Sequence, residues 1–184
     1  MPVSSWLKRF YLSRLSKPVE YRLLYRIAQR QKARRLVELG VGTGDRAIGL
    51  LKIAHHFHPP EEIRYTGIDL FEARETPLQE GSLKQVHRRL GTLSRTIQLV
   101  PGQPDVALAR VANSLADTDL LIISDFQNDE SLRHAWFYIP RMLHAKSAVL
   151  VRTVRNGTMG YHQLPGEEVD RLAEQGTPLT RKAA

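Results

Sequence analysis

The sequence predicts a doubly wound α/β domain, with a mostly parallel sheet and helices on both faces. Three observations carry that expectation. Short runs rich in apolar and β-branched residues alternate with stretches of helical periodicity between Arg35 and Val154, the pattern of consecutive βαβ units. The first run leads into three alternate glycines, Gly40, Gly42 and Gly44, and the second closes on an acid, Asp69. A chain of 184 residues, 42% hydrophobic and 25% charged, is the size and composition of one globular domain.

The strands are expected at Arg35 to Leu39, Arg64 to Asp69, Thr96 to Val100, Asp119 to Ser124 and Ala148 to Val154. Helices are expected between them, from Asp45 to Phe57, Leu78 to Leu90, Pro104 to Leu115 and Glu130 to His144. Pro59-Pro60 stops the first crossover helix. Asn156-Gly157 signals a turn, readable as a hairpin into Met159 to Leu164. A last helix follows from Gly166 to Gln175, and the residues from Thr177 to Ala184 read as a frayed tail. Right-handed crossovers place the helices on both faces of the sheet.

Ahead of the first strand, Trp6, Leu7, Phe10 and Tyr11 sit at helical spacing among Lys8, Arg9 and Arg14, and Pro18 ends that stretch. From Val19 to Gln31, Leu23, Leu24 and Ile27 form an apolar stripe while Arg22, Arg26 and Arg30 form a cationic row. The expected organisation is a basic helical extension over 1–34, the α/β domain over 35–176 and a tail over 177–184.

Charge follows the same division. The formal net charge is +8, yet residues 1–35 hold ten Lys/Arg against the single acid Glu20, so the rest of the chain is close to neutral. The cationic row could meet a polyanion, nucleic acid or an anionic membrane surface, or simply be a solvated helix face. The chain has no cysteine, which excludes disulfides, thiolate metal sites and cysteine nucleophiles and makes a reducing, cytoplasmic setting the expectation. Its apolar runs, such as Leu120 to Ile123 and Ala148 to Val151, are far short of the roughly 20 residues of a membrane span.

The segment Arg35-Leu-Val-Glu38-Leu-Gly40-Val-Gly42-Thr-Gly44-Asp45 is a strand running through alternate glycines into a helix. Glycines at such a junction let the backbone turn sharply and approach a ligand, and the helix start offers free N–H groups to a polar or anionic group. A plain βα turn does not need three of them. Asp69, at the end of the neighbouring strand, stands where an acid takes the two hydroxyls of a ribose.

Glu38-x-Gly40-x-Gly42-x-Gly44 followed by an acid closing the second strand closely resembles the class I S-adenosylmethionine-dependent methyltransferases. The resemblance implies a Rossmann-like sheet and S-adenosylmethionine as cofactor. The loop would cradle the methionine part, Glu38 would face its ammonium group and Asp69 the ribose. Leu70 with Phe71 would cover the adenine, with Gly102 and Gln103 at its edge. Ser124, Asp125 and Phe126 would face the methyl-transfer cleft. In the family seven strands complete the sheet, and only 30 residues follow Val154 here, so the sheet is expected to be cut short after the fifth strand. An open edge would then need covering, by a second subunit among other ways.

A rival reading is dinucleotide binding, because Gly42-x-Gly44-x-x-Ala47 fits the NAD(P) pattern. The charge of Glu38 disfavours a pyrophosphate and favours an ammonium and a sulfonium. A second alternative keeps the fold and loses catalysis, leaving a cofactor-binding or polyanion-binding module. The third-strand turn reads Pro101-Gly102-Gln103-Pro104, with Gln103 in place of the family's frequent acid, and Ser124-Asp125-Phe126-Gln127 is not the motif of base-nitrogen methylation. Asp125 is the candidate general base by position, and reads equally as a cap for the helix near Glu130. His55, His56 and His58 gather at a helix end, where the dipole alone favours them, so no metal site is expected. Tyr161 and His162 are within reach of the cleft if the fifth-strand loop folds over it.

Overall fold

The computed structural model describes residues 19–76, 81–94, 96–125, 130–155 and 157–177. The expected first helix with Trp6, Leu7, Phe10 and Tyr11, the residues Phe126 and Asn156, and the tail beyond Thr177 lie outside the described residues.

Six strands form one sheet in the order β3-β2-β1-β4-β5-β6. They are β1 (Arg35–Leu39), β2 (Arg64–Asp69), β3 (Ile97–Pro101), β4 (Thr118–Ile123), β5 (Leu143–Arg155) and β6 (Thr158–Leu164). All neighbours are parallel except the β5–β6 hairpin. The sheet therefore does not stop at the fifth strand, as expected from the chain length; the turn at Gly157 returns the chain as β6, pairing Val149 with Leu164 through Arg155 with Thr158.

The helices are α1 (Arg22–Gln31), α2 (Asp45–Phe57), α3 (Leu83–Gly91), α4 (Pro104–Val111), α5 (Glu130–Ala135) and α6 (Gly166–Gln175). Successive residues of a strand face opposite sides, so β1 supplies Leu36 to one core with α1, α2 and α3, and Val37 and Leu39 to another with α4, α5 and α6. Leu24, Tyr25, Ile27 and Ala28 of α1, inside the stretch expected as an extension, belong to the first core. Tyr25 crosses α2 so closely that a Cβ on Gly49 would lie 2.3 Å from its hydroxyl oxygen.

Three expected helices differ in extent. The stretch from Glu130 to His144 is helical only to Ala135, followed by a 3-10 turn at Ile139–Met142, and β5 already begins at Leu143. Pro140 accounts for this, since proline lacks the N–H and clashes with the preceding turn. Helix α3 starts at Leu83, where Ser82 and Gln85 form a reciprocal capping box, and the expected start at Leu78 lies outside the described residues. Helix α4 ends at Val111 and continues as a 3-10 turn to Leu115.

The connections β1–α2–β2–α3–β3 run outward on one side, and the chain then returns to place β4 on the other side of β1. The strand order reverses between β1 and β4. Ligands of open α/β sheets settle in the crevice at that switch point, beyond the carboxyl ends of the strands. The glycine loop after β1 and Asp125 after β4 meet there.

Candidate functional site

Gly40, Gly42 and Gly44 all adopt left-handed backbone, with φ of 85°, 61° and 85°. At Gly40 the requirement is double: a Cβ would lie 2.4 Å from the Cβ of Asp125 and 2.8 Å from its backbone nitrogen. The loop after β4 thus rests directly on the glycine loop. Gly44 is the N-cap of α2 and gives that helix no side-chain cap hydrogen bond.

Glu38 has no exposed surface. Arg46 Nε donates to its Oε1 at 2.7 Å, the Tyr65 hydroxyl donates to its Oε2 at 2.5 Å, and Ser124 Oγ lies 3.4 Å from Oε1. Ser124 in turn shares a 2.6 Å hydrogen bond with the Tyr161 hydroxyl of β6. The far end of Arg46 donates to the carbonyl oxygens of Gly40 and Val41, and its guanidinium lies 5.8 Å from the ring centre of Tyr21. The cation facing Glu38 is therefore supplied by the chain itself. Burial draws the Arg46 pKa down, and the Glu38 charge and hydrogen bond together with the neighbouring Tyr161 and Tyr21 outweigh it, so the net shift is upward. Burial and the Glu38 charge together push the Tyr65 hydroxyl well above its ordinary value.

Asp69 is likewise fully buried. Its Oδ2 accepts the Gly42 N–H at 2.7 Å and its Oδ1 accepts the Phe71 N–H at 3.2 Å. Arg74 Nη2 straddles both oxygens at 2.6 and 2.7 Å, while Nη1 donates to Asp125 Oδ2 at 3.0 Å. One guanidinium spans the ends of β2 and β4. Asp69 and Asp125 thus lie on either side of the same cation, with Gly40 beneath Asp125 and Gly42 against Asp69.

The remaining expected residues divide. Gly102 N donates to the Asp69 carbonyl at 2.9 Å, which brings the β3 turn against the end of β2, and Gln103 is exposed at the N-cap of α4. Leu70 is half-buried, but Phe71 is 2% exposed and packs in the first core. The Phe71 φ of 49° is strained for an aromatic residue and puts its N–H on Asp69. Tyr161 reaches the Glu38 network, whereas His162 faces the other way, with Nδ1 3.0 Å from Thr153 Oγ1. His55 contacts the Leu93 carbonyl and His58 the Lys32 carbonyl, and among the described residues no group of three His, Cys, Asp or Glu is placed to hold a metal.

Arg46 and Arg74 are the residues that reading the sequence missed. Arg46 did carry a signal, since a cation in the first turn of a helix opposes the helix dipole and needs a local acid. Arg74, in a turn five residues after Asp69, carried none.

No family model and no curated protein matches the chain. Solved structures do. An O-methyltransferase from Bacillus cereus in complex with SAH superposes with a TM-score of 0.57 at 15% identity, over 84% of this chain and 68% of that one. The O-methyltransferase TomG from Streptomyces achromogenes, involved in tomaymycin synthesis and in complex with SAM, gives 0.53 at 16% over 80% of this chain. A Plasmodium falciparum protein in complex with S-adenosyl-L-homocysteine gives 0.54 at 13% over 80%. The chain spans 64% of the length of TomG and 65% of the Plasmodium protein. At these identities the likeness is one of fold: the chain has the Rossmann-like fold of the class I methyltransferases.

Proposed function

We propose that the protein is an S-adenosylmethionine-dependent methyltransferase acting on an acceptor still to be identified. The observation that carries this reading is the left-handed loop Gly40-Gly42-Gly44 at the switch point, with Asp69 closing the next strand and in contact with the Gly42 N–H. The loop suits an adenosyl ligand, because three left-handed glycines keep side chains off the backbone at the switch point and α2 begins without a side-chain cap. The fold of the solved neighbours supports it further.

In this reading the glycine loop and Asp69 hold the cofactor, with Leu70 and Gln103 toward its adenine end. Arg46, backed by Glu38, presents a fixed cation where the amino-acid end lies, so recognition there falls to the carboxylate rather than the ammonium. Bound S-adenosylmethionine supplies a methyl group on a sulfonium. The protein's part is to align the acceptor in line with that group and to exclude water, contributions of position more than of proton transfer. Asp125, half-exposed at the cleft, is the group placed to accept a proton where the acceptor must lose one.

We also propose a polyanion contact through α1. Arg26 and Arg30 are exposed while Leu24, Tyr25, Ile27 and Ala28 are buried, so the helix turns an open cationic face outward; Arg22 is half-buried at its edge. No helix among the described residues is long and apolar enough to cross a membrane.

The test is a calorimetric and thermal-shift screen with S-adenosylmethionine, S-adenosylhomocysteine, NAD and NADP. A native-state ligand at about 100 times its Kd stabilises by about 2.7 kcal/mol, so the two adenosyl-sulfur ligands should raise the Tm and the dinucleotides should not. A shift with NAD or NADP alone removes the methyltransferase reading. Release of S-adenosylhomocysteine with a cell extract as acceptor source separates an enzyme from a binding module.

A further inference from the structure

We propose that Arg74 is an intramolecular stopper of the nucleoside subsite, a side chain that occupies the ribose-binding acid and must leave before an adenosyl ligand can use it. The inference rests on the methyltransferase reading of the glycine loop.

The geometry argues it from three sides. First, the Asp69 carboxylate is saturated. The Gly42 and Phe71 N–H groups take one side of each oxygen and Arg74 Nη2 takes the rest, so no lone pair faces the cleft for a ribose diol. Second, the seat of Arg74 is a poor one for a permanent ion pair. A single nitrogen straddles both Asp69 oxygens, where the strong form of this pair is two parallel bonds from two nitrogens. Nε is buried with no hydrogen-bond partner among the described residues, a cost that a settled structural arginine avoids. Third, the guanidinium has somewhere to go. Nη1 already holds Asp125, whose side chain is 49% exposed, so Arg74 can let go of Asp69 while keeping its other partner.

Arg46 provides the contrast. Its guanidinium is held by Glu38, by the Gly40 and Val41 carbonyls and by the Tyr21 ring. Arg46 is part of the wall, and Arg74 is its movable counterpart.

Two consequences follow from mass action. The apparent Kd of an adenosyl ligand exceeds the intrinsic one by the reciprocal of the fraction of molecules in which Asp69 is free. A ligand that displaces Arg74 from Asp69 leaves the cation to Asp125 alone, so the acceptor side of the cleft changes its charge pattern only when the cofactor is present.

The experiment is calorimetric titration of S-adenosylhomocysteine into the full chain and its Arg74→Gln and Arg74→Lys variants, with urea unfolding to establish that each is folded. Arg74→Gln should bind at least tenfold more tightly than the parent, and Arg74→Lys, which keeps a charge within reach of Asp69, should gain less. Methylguanidinium at millimolar concentration should weaken binding to Arg74→Gln and leave the parent unchanged, because only the variant has a vacant seat for it. A merely supporting role for Arg74 predicts no such rescue of the parent behaviour. Equal or weaker binding by Arg74→Gln, or indifference to methylguanidinium, overturns the stopper while the cofactor assignment stands. If neither the parent nor either variant binds S-adenosylhomocysteine, the methyltransferase reading falls and the stopper falls with it.

Discussion

Glu38 and Arg46, eight residues apart, form an ion pair of 2.7 Å in which the carboxylate has no exposed surface and the guanidinium side chain is 11% exposed. Neither charge can be removed alone without stranding the other. Glu38→Gln and Arg46→Met should each cost about 3–5 kcal/mol of stability. The double variant should cost clearly less than the sum of the two, since it leaves no orphan charge. Urea unfolding of the three proteins measures this, and additive losses would show that the two side chains act independently. Any loss of cofactor affinity in Glu38→Gln must therefore be read against its folding.

The tyrosines around that pair give a pH dependence. Burial pushes Tyr65 well above its ordinary value of 10.0, with the Glu38 charge adding to it, and burial likewise raises Tyr25 and Tyr161. A raised pKa favours the protonated phenol in the folded state, so this stability is intact below about pH 10 and is lost as pH climbs from there toward the folded values. Unfolding free energies between pH 9.5 and 11 should fall steeply. Tyr65→Phe removes one titrating group and should lessen the slope by up to about 1.4 kcal/mol per pH unit. It also strips Glu38 of a hydrogen bond, at a cost of about 1–3 kcal/mol at neutral pH. A parallel slope in the variant would mean that Tyr65 titrates alike in the folded and unfolded states and that burial does not raise it.

Gly40→Ala should be the most damaging glycine substitution in the loop. The residue is left-handed and its Cβ would meet Asp125 at 2.4 Å, so strain and overpacking add to about 2–4 kcal/mol. Gly91→Ala, at the end of α3 with nothing within 4 Å of its Cβ, should instead gain about 0.5–1 kcal/mol. Thermal unfolding of both variants decides; a silent Gly40→Ala would mean that the β4 loop does not rest on the glycine loop.

Reversing Arg26 and Arg30 to Glu should change stability by no more than about 0.5 kcal/mol each, as for exposed positions, and should leave S-adenosylhomocysteine binding as it was. Retention on heparin and binding to RNA or anionic vesicles should drop, and should do so with a steep salt dependence. Unchanged retention would make the row a solvated helix face.

Where the cause is local, the sequence was a good guide. The ends of β1, β2, α2 and α6 coincide with their expected bounds, because alternation, helical spacing, glycines and prolines act within a few residues of themselves. The end expected at His144 and found at Ala135 has a local cause too, since Pro140 disfavours helix in the turn before it.

The glycine loop, the acid at the end of β2 and the order of elements are properties of the sequence alone, since each is set by short-range backbone preference and hydrophobic period. Which charge meets which is not. Glu38 and Asp69 were legible as acids of a ligand site, yet only the packing of α2 on β1, and of the turn after β2 beside β4, brings Arg46 to the first and Arg74 to the second. A long cationic side chain reads as solvated in sequence because its reach exceeds the spacing of its neighbours. Its partner is chosen by whichever buried carboxylate the fold brings within that reach, at the desolvation cost of leaving it unpaired.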